Sequence, residues 1–203
     1  MTRTDEELVA CAQAGDLDCF NQLVSRWERP IYALAYRTLG REEEARDMTQ
    51  EAFLRAYRGL RAFKGEAKFS SWLYRITLNL CRDWIRRERR APVVAVPEGV
   101  DPVDLADSQM APAESVEELV ARREMSKAVA LAMAELPEEQ RTAILLKEYH
   151  GLTFQEIADM LGCPLSTVKT RLYQGLSVLR RRLERQQAEA AALRRATWEA
   201  SKL

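Results

Sequence analysis

Histidine is nearly absent from this 203-residue chain: His150 stands alone, so no second imidazole is available to share a metal. The four cysteines, Cys11, Cys19, Cys81 and Cys163, lack the paired spacing of a metal site, and buried thiols are the first expectation. Cys11 and Cys19 leave a redox pair open, but nothing near them in sequence marks a lowered thiol pKa. No metal and no cofactor are expected. A nucleophile with its base and a phosphate-cradling glycine loop are also missing, which leaves an enzyme almost without support. No apolar run approaches a membrane span. The start, Met1-Thr-Arg-Thr-Asp-Glu-Glu, turns acidic at once and lacks the apolar segment and cleavage site of a signal peptide, so a cytoplasmic protein is expected. Alternating strand patterns of useful length do not occur, and the chain reads as all-α.

What is present is charge, in blocks. Lys and Arg number 31, as do Asp and Glu, and the formal net charge is zero. From Arg61 to Arg90 nine basic residues face three acids, a net of +6, whereas Ala91 to Leu119 holds seven acids and no Lys or Arg. The acidic stretch also carries most of the prolines and has no sustained period, so it reads as a linker over 91–114. Helices are expected before it at Asp5 to Ala14, Asp18 to Leu39, Glu42 to Leu60 and Lys68 to Arg90. After it they are expected at Ser115 to Glu135, Pro137 to Tyr149, Thr153 to Leu161 and Pro164 to about Arg185. Two small helical domains result, 1–90 and 115–185. The tail 186–203 is rich in Ala and charge, has weak helical character and shows no packing stripe.

Within 152–173 the pattern is a helix, a sharp turn and a second helix. Ile157 and Leu161 face inward, Ala158 allows a close crossing, Gly162 supplies a left-handed stop and Pro164 opens the next helix. Val168, Leu172, Leu176, Leu179 and Leu183 then form one apolar stripe. Lys169, Thr170, Tyr173, Gln174 and Arg180 are left on the outer face, where they can reach phosphates and base edges in a major groove. The same pattern fits an ordinary helical hairpin within a bundle.

The fourth helix is amphipathic in a comparable way. Phe69, Leu73, Ile76, Leu80 and Trp84 form an inward stripe, and Arg75, Asn79, Arg82 and Arg86 an outward basic ridge with one amide in it. Such a ridge suits a phosphate backbone with one base read between contacts, or simply a solvated face. Trp72 and Tyr74 are candidates for base stacking or for core. On the third helix, Ala45, Met48, Ala52, Ala56 and Leu60 point inward. That leaves Asp47, Gln50, Glu51, Leu54 and Arg55 outside, a mixture closer to a protein docking patch than to a nucleic-acid surface.

In this order, Gly15-Asp16-Leu-Asp-Cys-Phe20 with Leu23-Val24, Asp47-Met-Thr-Gln-Glu-Ala-Phe-Leu54, Phe69-Ser-Ser-Trp-Leu-Tyr-Arg-Ile76 with Asn79, Leu136-Pro-Glu-Glu-Gln-Arg141 and the helix-turn-helix resemble the extracytoplasmic-function group of bacterial sigma factors. The resemblance implies a sigma-two domain over 1–90 and a sigma-four domain over 115–185. It implies that Asp47, Gln50, Glu51 and Leu54 dock on the clamp helices of the largest subunit of core RNA polymerase, with the flap as a further contact. Arg75, Asn79, Arg82 and Arg86 would meet the melted minus-ten element. Ser166, Thr167, Lys169, Thr170, Arg171, Tyr173 and Gln174 would read the minus-thirty-five duplex. The linker would thread toward the polymerase active site, and an anti-sigma factor would be a further partner. The reading set against it is a free-standing, dimeric helix-turn-helix regulator, which would bind a palindromic target tightly without polymerase.

Overall fold

The computed structural model describes residues 3–88 and 115–200. The linker expected at 91–114, together with Arg89 and Arg90, lies outside them. All regular structure among the described residues is helical, and the chain divides into two compact units, one of residues 1–100 with 159–162 and the other of 101–158 with 163–203.

The first unit contains α1 (Asp5–Gln13), α2 (Leu17–Leu39), α3 (Glu42–Gly59), a 3-10 turn at Leu60–Ala62, and α4 (Phe69–Glu88). Local chemistry sets the starts. Thr4 and Glu7 close a reciprocal capping box on α1, and the Asp16 carboxylate accepts from the Asp18 and Cys19 amides to open α2. Leu8, Leu23, Ile31, Leu34, Leu73 and Leu78 are fully buried where these helices meet, each contributing about 1.5–3 kcal/mol of transfer free energy. Three threonines share that interior without an unsatisfied hydroxyl. Thr38, Thr49 and Thr77 each donate to the carbonyl four residues back, Leu34, Ala45 and Leu73 respectively, at 2.7–2.9 Å.

Burial on α4 departs from a single stripe. Phe69, Leu73 and Leu80 are buried as expected, but Ile76 and Trp84 are only half-buried, and Tyr74, Thr77, Leu78 and Cys81 are buried as well. The reason is that α4 packs on both α2 and α3, so the surface withdrawn from water is wider than one row of side chains. Trp84 sits at the rim under the Arg41 guanidinium, 5.2 Å from its ring centre.

The carboxyl-terminal half of the chain contains α5 (Val116–Ala134), α6 (Glu138–Ile144) running on as a π-helical turn at Leu145–Tyr149, α7 (Phe154–Leu161) and α8 (Leu165–Ala200). Capping boxes open two of these, Ser115 with Glu118 and Thr153 with Glu156. Leu146, Ile157, Val168 and Leu172 are buried to 3% exposure or less. Beyond Leu172 the expected stripe fades, with Leu176, Leu179 and Leu183 half-buried. Gly175 is buried instead, where α6 crosses α8.

The tail is a correction. Helix α8 continues through residue 200, whereas weak helical character was expected from 186. Ala, Glu, Arg and Gln are strong helix formers, and the i,i+4 pairs Arg180–Glu184 and Arg185–Glu189, each at 2.8 Å, support the extension.

Candidate nucleic-acid interface

Gly162 ends α7 in the left-handed region at φ 62°, where a β-carbon would strain the backbone, and the Cys163 amide returns to the Ala158 carbonyl at 3.1 Å. The Pro164 carbonyl accepts the first bonds of α8 from Thr167 and Val168, so the turn is short and the second helix begins at once. With Val168 and Leu172 buried, geometry leaves Ser166, Lys169, Thr170, Tyr173 and Gln174 exposed on the first turns of α8. Tyr173 has 60% of its surface in solvent. Thr167 and Arg171 are half-buried, and Arg171 points a guanidinium nitrogen at Cys163 Sγ, 3.8 Å away. Lys169 and Lys147 both approach the Phe154 ring, at 5.6 and 5.0 Å, which holds two cations beside the exposed face of α8. Lys147 was not singled out in sequence. Leu161, expected inside, is half-buried.

In the first unit Arg75 and Asn79 are exposed on α4, one turn apart. Arg82 is half-buried, and Arg86 is exposed with Asp83 3.0 Å from its guanidinium. Together they form the expected ridge, tempered by one acid. Of the two candidate stacking rings, Tyr74 is buried edge-on against Trp27, and burial raises its hydroxyl pKa to about 12. Trp72 is half-buried and stacks on Phe63 at 4.7 Å. Phe63 belongs to the loop before α4, which lines an open cleft of about 450 Å³ with Val9 and Gln13 of α1, Lys64 and Lys68. Asn79 does not line that cleft.

On α3, Asp47, Gln50, Leu54 and Arg55 are exposed, and Glu51 is half-exposed in an ion pair with Arg55 at 2.7 Å. Ala45, Ala52, Ala56 and Leu60 face inward with Phe53, while Met48 is half-buried. Tyr57 extends the outer face. It is 48% exposed beside Leu54 at 50%, and its ring rests on Phe20 at 5.0 Å. The i,i+3 spacing from Leu54 was the signal for it.

Two family models match the chain, Sigma-70 region 2 over residues 23–91 and Sigma-70 region 4 over 126–179. The sigma-H factor of Pseudomonas aeruginosa RNA polymerase is 34% identical over 181 residues, covering 89% of this chain and 94% of that protein. The chain belongs to the RNA polymerase sigma factors. Its group is the extracytoplasmic-function one, since SigW of Bacillus subtilis is 38% identical over 83% of this chain and 91% of its own length. Among solved structures, CnrH in complex with the cytosolic domain of CnrY superposes with a TM-score of 0.64 at 28% identity, covering 89% of this chain and 97% of that one. Sigma factors of this group direct transcription initiation and are not enzymes, which sets aside the free-standing dimeric regulator.

Proposed function

We propose that this sigma factor works through three surfaces. The α3 face of Asp47, Gln50, Glu51 and Leu54 docks on the clamp helices of the largest subunit of core RNA polymerase, and the second unit meets the flap. The ridge of Arg75, Asn79, Arg82 and Arg86 receives the melted minus-ten strand. There, fixed cations offset the few kcal/mol of unstacking. The first turns of α8 enter the major groove of the minus-thirty-five duplex, with Ser166, Lys169, Thr170, Tyr173 and Gln174 outermost and Thr167 and Arg171 behind them.

The division of labour follows the chain: 1–90 for docking and the minus-ten element, 115–185 for the minus-thirty-five element. Residues 91–114 form an acidic segment between them, suited to a channel built for nucleic acid. An anti-sigma factor is a second protein partner, as the anti-sigma factor NepR is found with the sigma factor RpoE of Bartonella quintana. The site of action is the cytoplasm, where bacterial RNA polymerase works. No described helix is long and apolar enough to cross a membrane.

The observation carrying this reading is that the donor-rich side chains of α8 stand in solvent on the first turns after the Gly162 stop. Transcription in vitro from a promoter-library template, with core polymerase alone and with the protein added, tests it. Discrete start sites that need the protein are expected. Their absence, with tight duplex binding by the isolated protein, would overturn it.

A further inference from the structure

The two amino-terminal cysteines lie outside all three surfaces, and the fold brings them together. Cys11, on the last turns of α1, and Cys19, on the first turn of α2, have Cα atoms 6.0 Å apart and are joined as a disulfide. Cys19 is 1% exposed and Cys11 is half-buried, so one sulfur is open to reagents and the other waits behind it. Arg3 Nη1 lies 3.1 Å from Cys19 Sγ and 3.8 Å from Cys11 Sγ, a fixed positive charge on both sulfurs. Opposite it, Asp16 Oδ2 is 3.3 Å from Cys11 Sγ, placed to accept a hydrogen bond from the Cys11 thiol when the pair is reduced, so the guanidinium acts against this carboxylate in favouring the thiolate. Cys11, Asp16 and Cys19 could between them offer three donors to a metal, but the guanidinium repels a cation and favours a thiolate.

We propose that Cys11 and Cys19 are a reversible thiol–disulfide site, oxidised by hydroperoxides, that braces the loop before α4. That the bond is a switch and not a permanent staple rests on the cytoplasmic role proposed above, because disulfides there are reduced unless they serve redox chemistry. The Cys11 thiolate attacks the terminal oxygen of the peroxide. An S–O bond forms as the O–O bond breaks, and the leaving oxygen departs as water or an alcohol. The Cys19 sulfur then displaces hydroxide from the Cys11 sulfenic acid, and that hydroxide leaves as water with the Cys19 proton. Two thiols lose two electrons to one peroxide. A dithiol reductant reverses the change.

Gln13 carries the effect outward. Two residues beyond Cys11, its side-chain amide donates to the Leu60 and Phe63 carbonyls, both at 2.8 Å. Closing the disulfide ties the end of α1 to α2, and with it the clasp on the 60–63 segment and the Phe63–Trp72 stack. In the reduced protein this end of α1 loses its covalent tether, and the clasp opens more often.

Both cysteines fall in the tryptic peptide 4–26, so the full-length protein can be tested directly. The dithiol form, treated with hydrogen peroxide and then alkylated, is expected to yield that peptide 2 Da lighter and unalkylated, and dithiothreitol to restore two alkylation sites. Arg3→Gln, whose tryptic peptide becomes 1–26, should slow this oxidation about three- to ten-fold by lowering the thiolate fraction. Hydrogen exchange of amides 60–69 should be several-fold slower in the oxidised protein than in the reduced one, and Cys11→Ser should show the fast rate whatever the oxidant. Over-oxidation of Cys11 without the 2 Da loss would overturn the disulfide chemistry. Equal exchange in the two redox states would overturn the brace. Neither readout needs polymerase or DNA, so failure here is distinguishable from failure of the promoter role.

Discussion

Gly175 of α8 faces Ile144 of α6 so closely that a β-carbon on the glycine would stand 2.9 Å from Ile144 Cδ1 and 3.1 Å from Gln140 Cβ. Ile144 is 2% exposed and has little room to swing away. Helix propensity alone favours replacing a mid-helix glycine with alanine by about 1 kcal/mol. Overpacking here opposes that by about 1–3 kcal/mol, and a branched residue adds more. Gly175→Val is therefore expected to destabilise the second unit by about 2 kcal/mol. Urea unfolding of the full-length protein checks it, and a variant as stable as the parent would mean that the crossing is looser than described.

The α3 face makes a different kind of prediction. Asp47, Gln50 and Leu54 are exposed, so removing their side chains takes little from the fold. Asp47→Ala combined with Gln50→Ala is expected to weaken binding to core polymerase about tenfold or more, with thermal unfolding unchanged. Leu54→Ala should add to the loss. Fluorescence titration against core enzyme measures it, and undiminished affinity in the double variant would remove α3 from the docking surface.

On α8 the two kinds of DNA contact separate by salt. Lys169→Ala is expected to weaken minus-thirty-five duplex binding on all sequences alike and to reduce the magnitude of the slope of log K against log salt by about 0.9, the signature of one lost phosphate contact. Tyr173→Ala or Gln174→Ala is expected to lower discrimination by about 1–3 kcal/mol while leaving the slope unchanged, as for side chains at base edges. Filter binding over a salt series distinguishes the two, and an unchanged slope for Lys169→Ala would place that lysine away from phosphate.

Much of this molecule was readable from the chain because its helices are amphipathic and punctuated. The Gly162 stop, the inward Val168 and Leu172, and the exposed Lys169, Thr170, Tyr173 and Gln174 all follow from a 3.6-residue period and a positive-φ glycine. What escaped depended on neighbours distant in sequence. Thr49 and Thr77 are polar by type but turn their hydroxyls onto their own helices, and Gly175 is explained only by Gln140 and Ile144. Arg3, the cation nearest the cysteines, is sixteen residues from Cys19 in sequence and 3.1 Å from it in space, so no local motif could announce a thiol site. The tail shows no packing stripe in sequence, and its helix rests instead on propensity and i,i+4 pairs.

Alkaline pH should expose the two buried acids of α4. Burial raises the Tyr74 hydroxyl and the Cys81 thiol each to about 12, from ordinary values of 10.0 and 9.0. In the unfolded chain both ionise near the ordinary values, so between about pH 9 and 12 the unfolded state binds fewer protons than the native one and stability falls as pH rises. Cys81 acts first, and Tyr74 joins above about pH 10, each by at most about 1.4 kcal/mol per pH unit. Tyr74→Phe keeps the ring against Trp27 and removes the titrating group. Urea midpoints compared at about pH 9 and about pH 11 should therefore fall less for Tyr74→Phe than for the parent, by about 1 kcal/mol in unfolding free energy. Parallel losses in the two proteins would mean that the Tyr74 hydroxyl ionises in the native state as readily as in the unfolded one, and the burial described for it would be wrong.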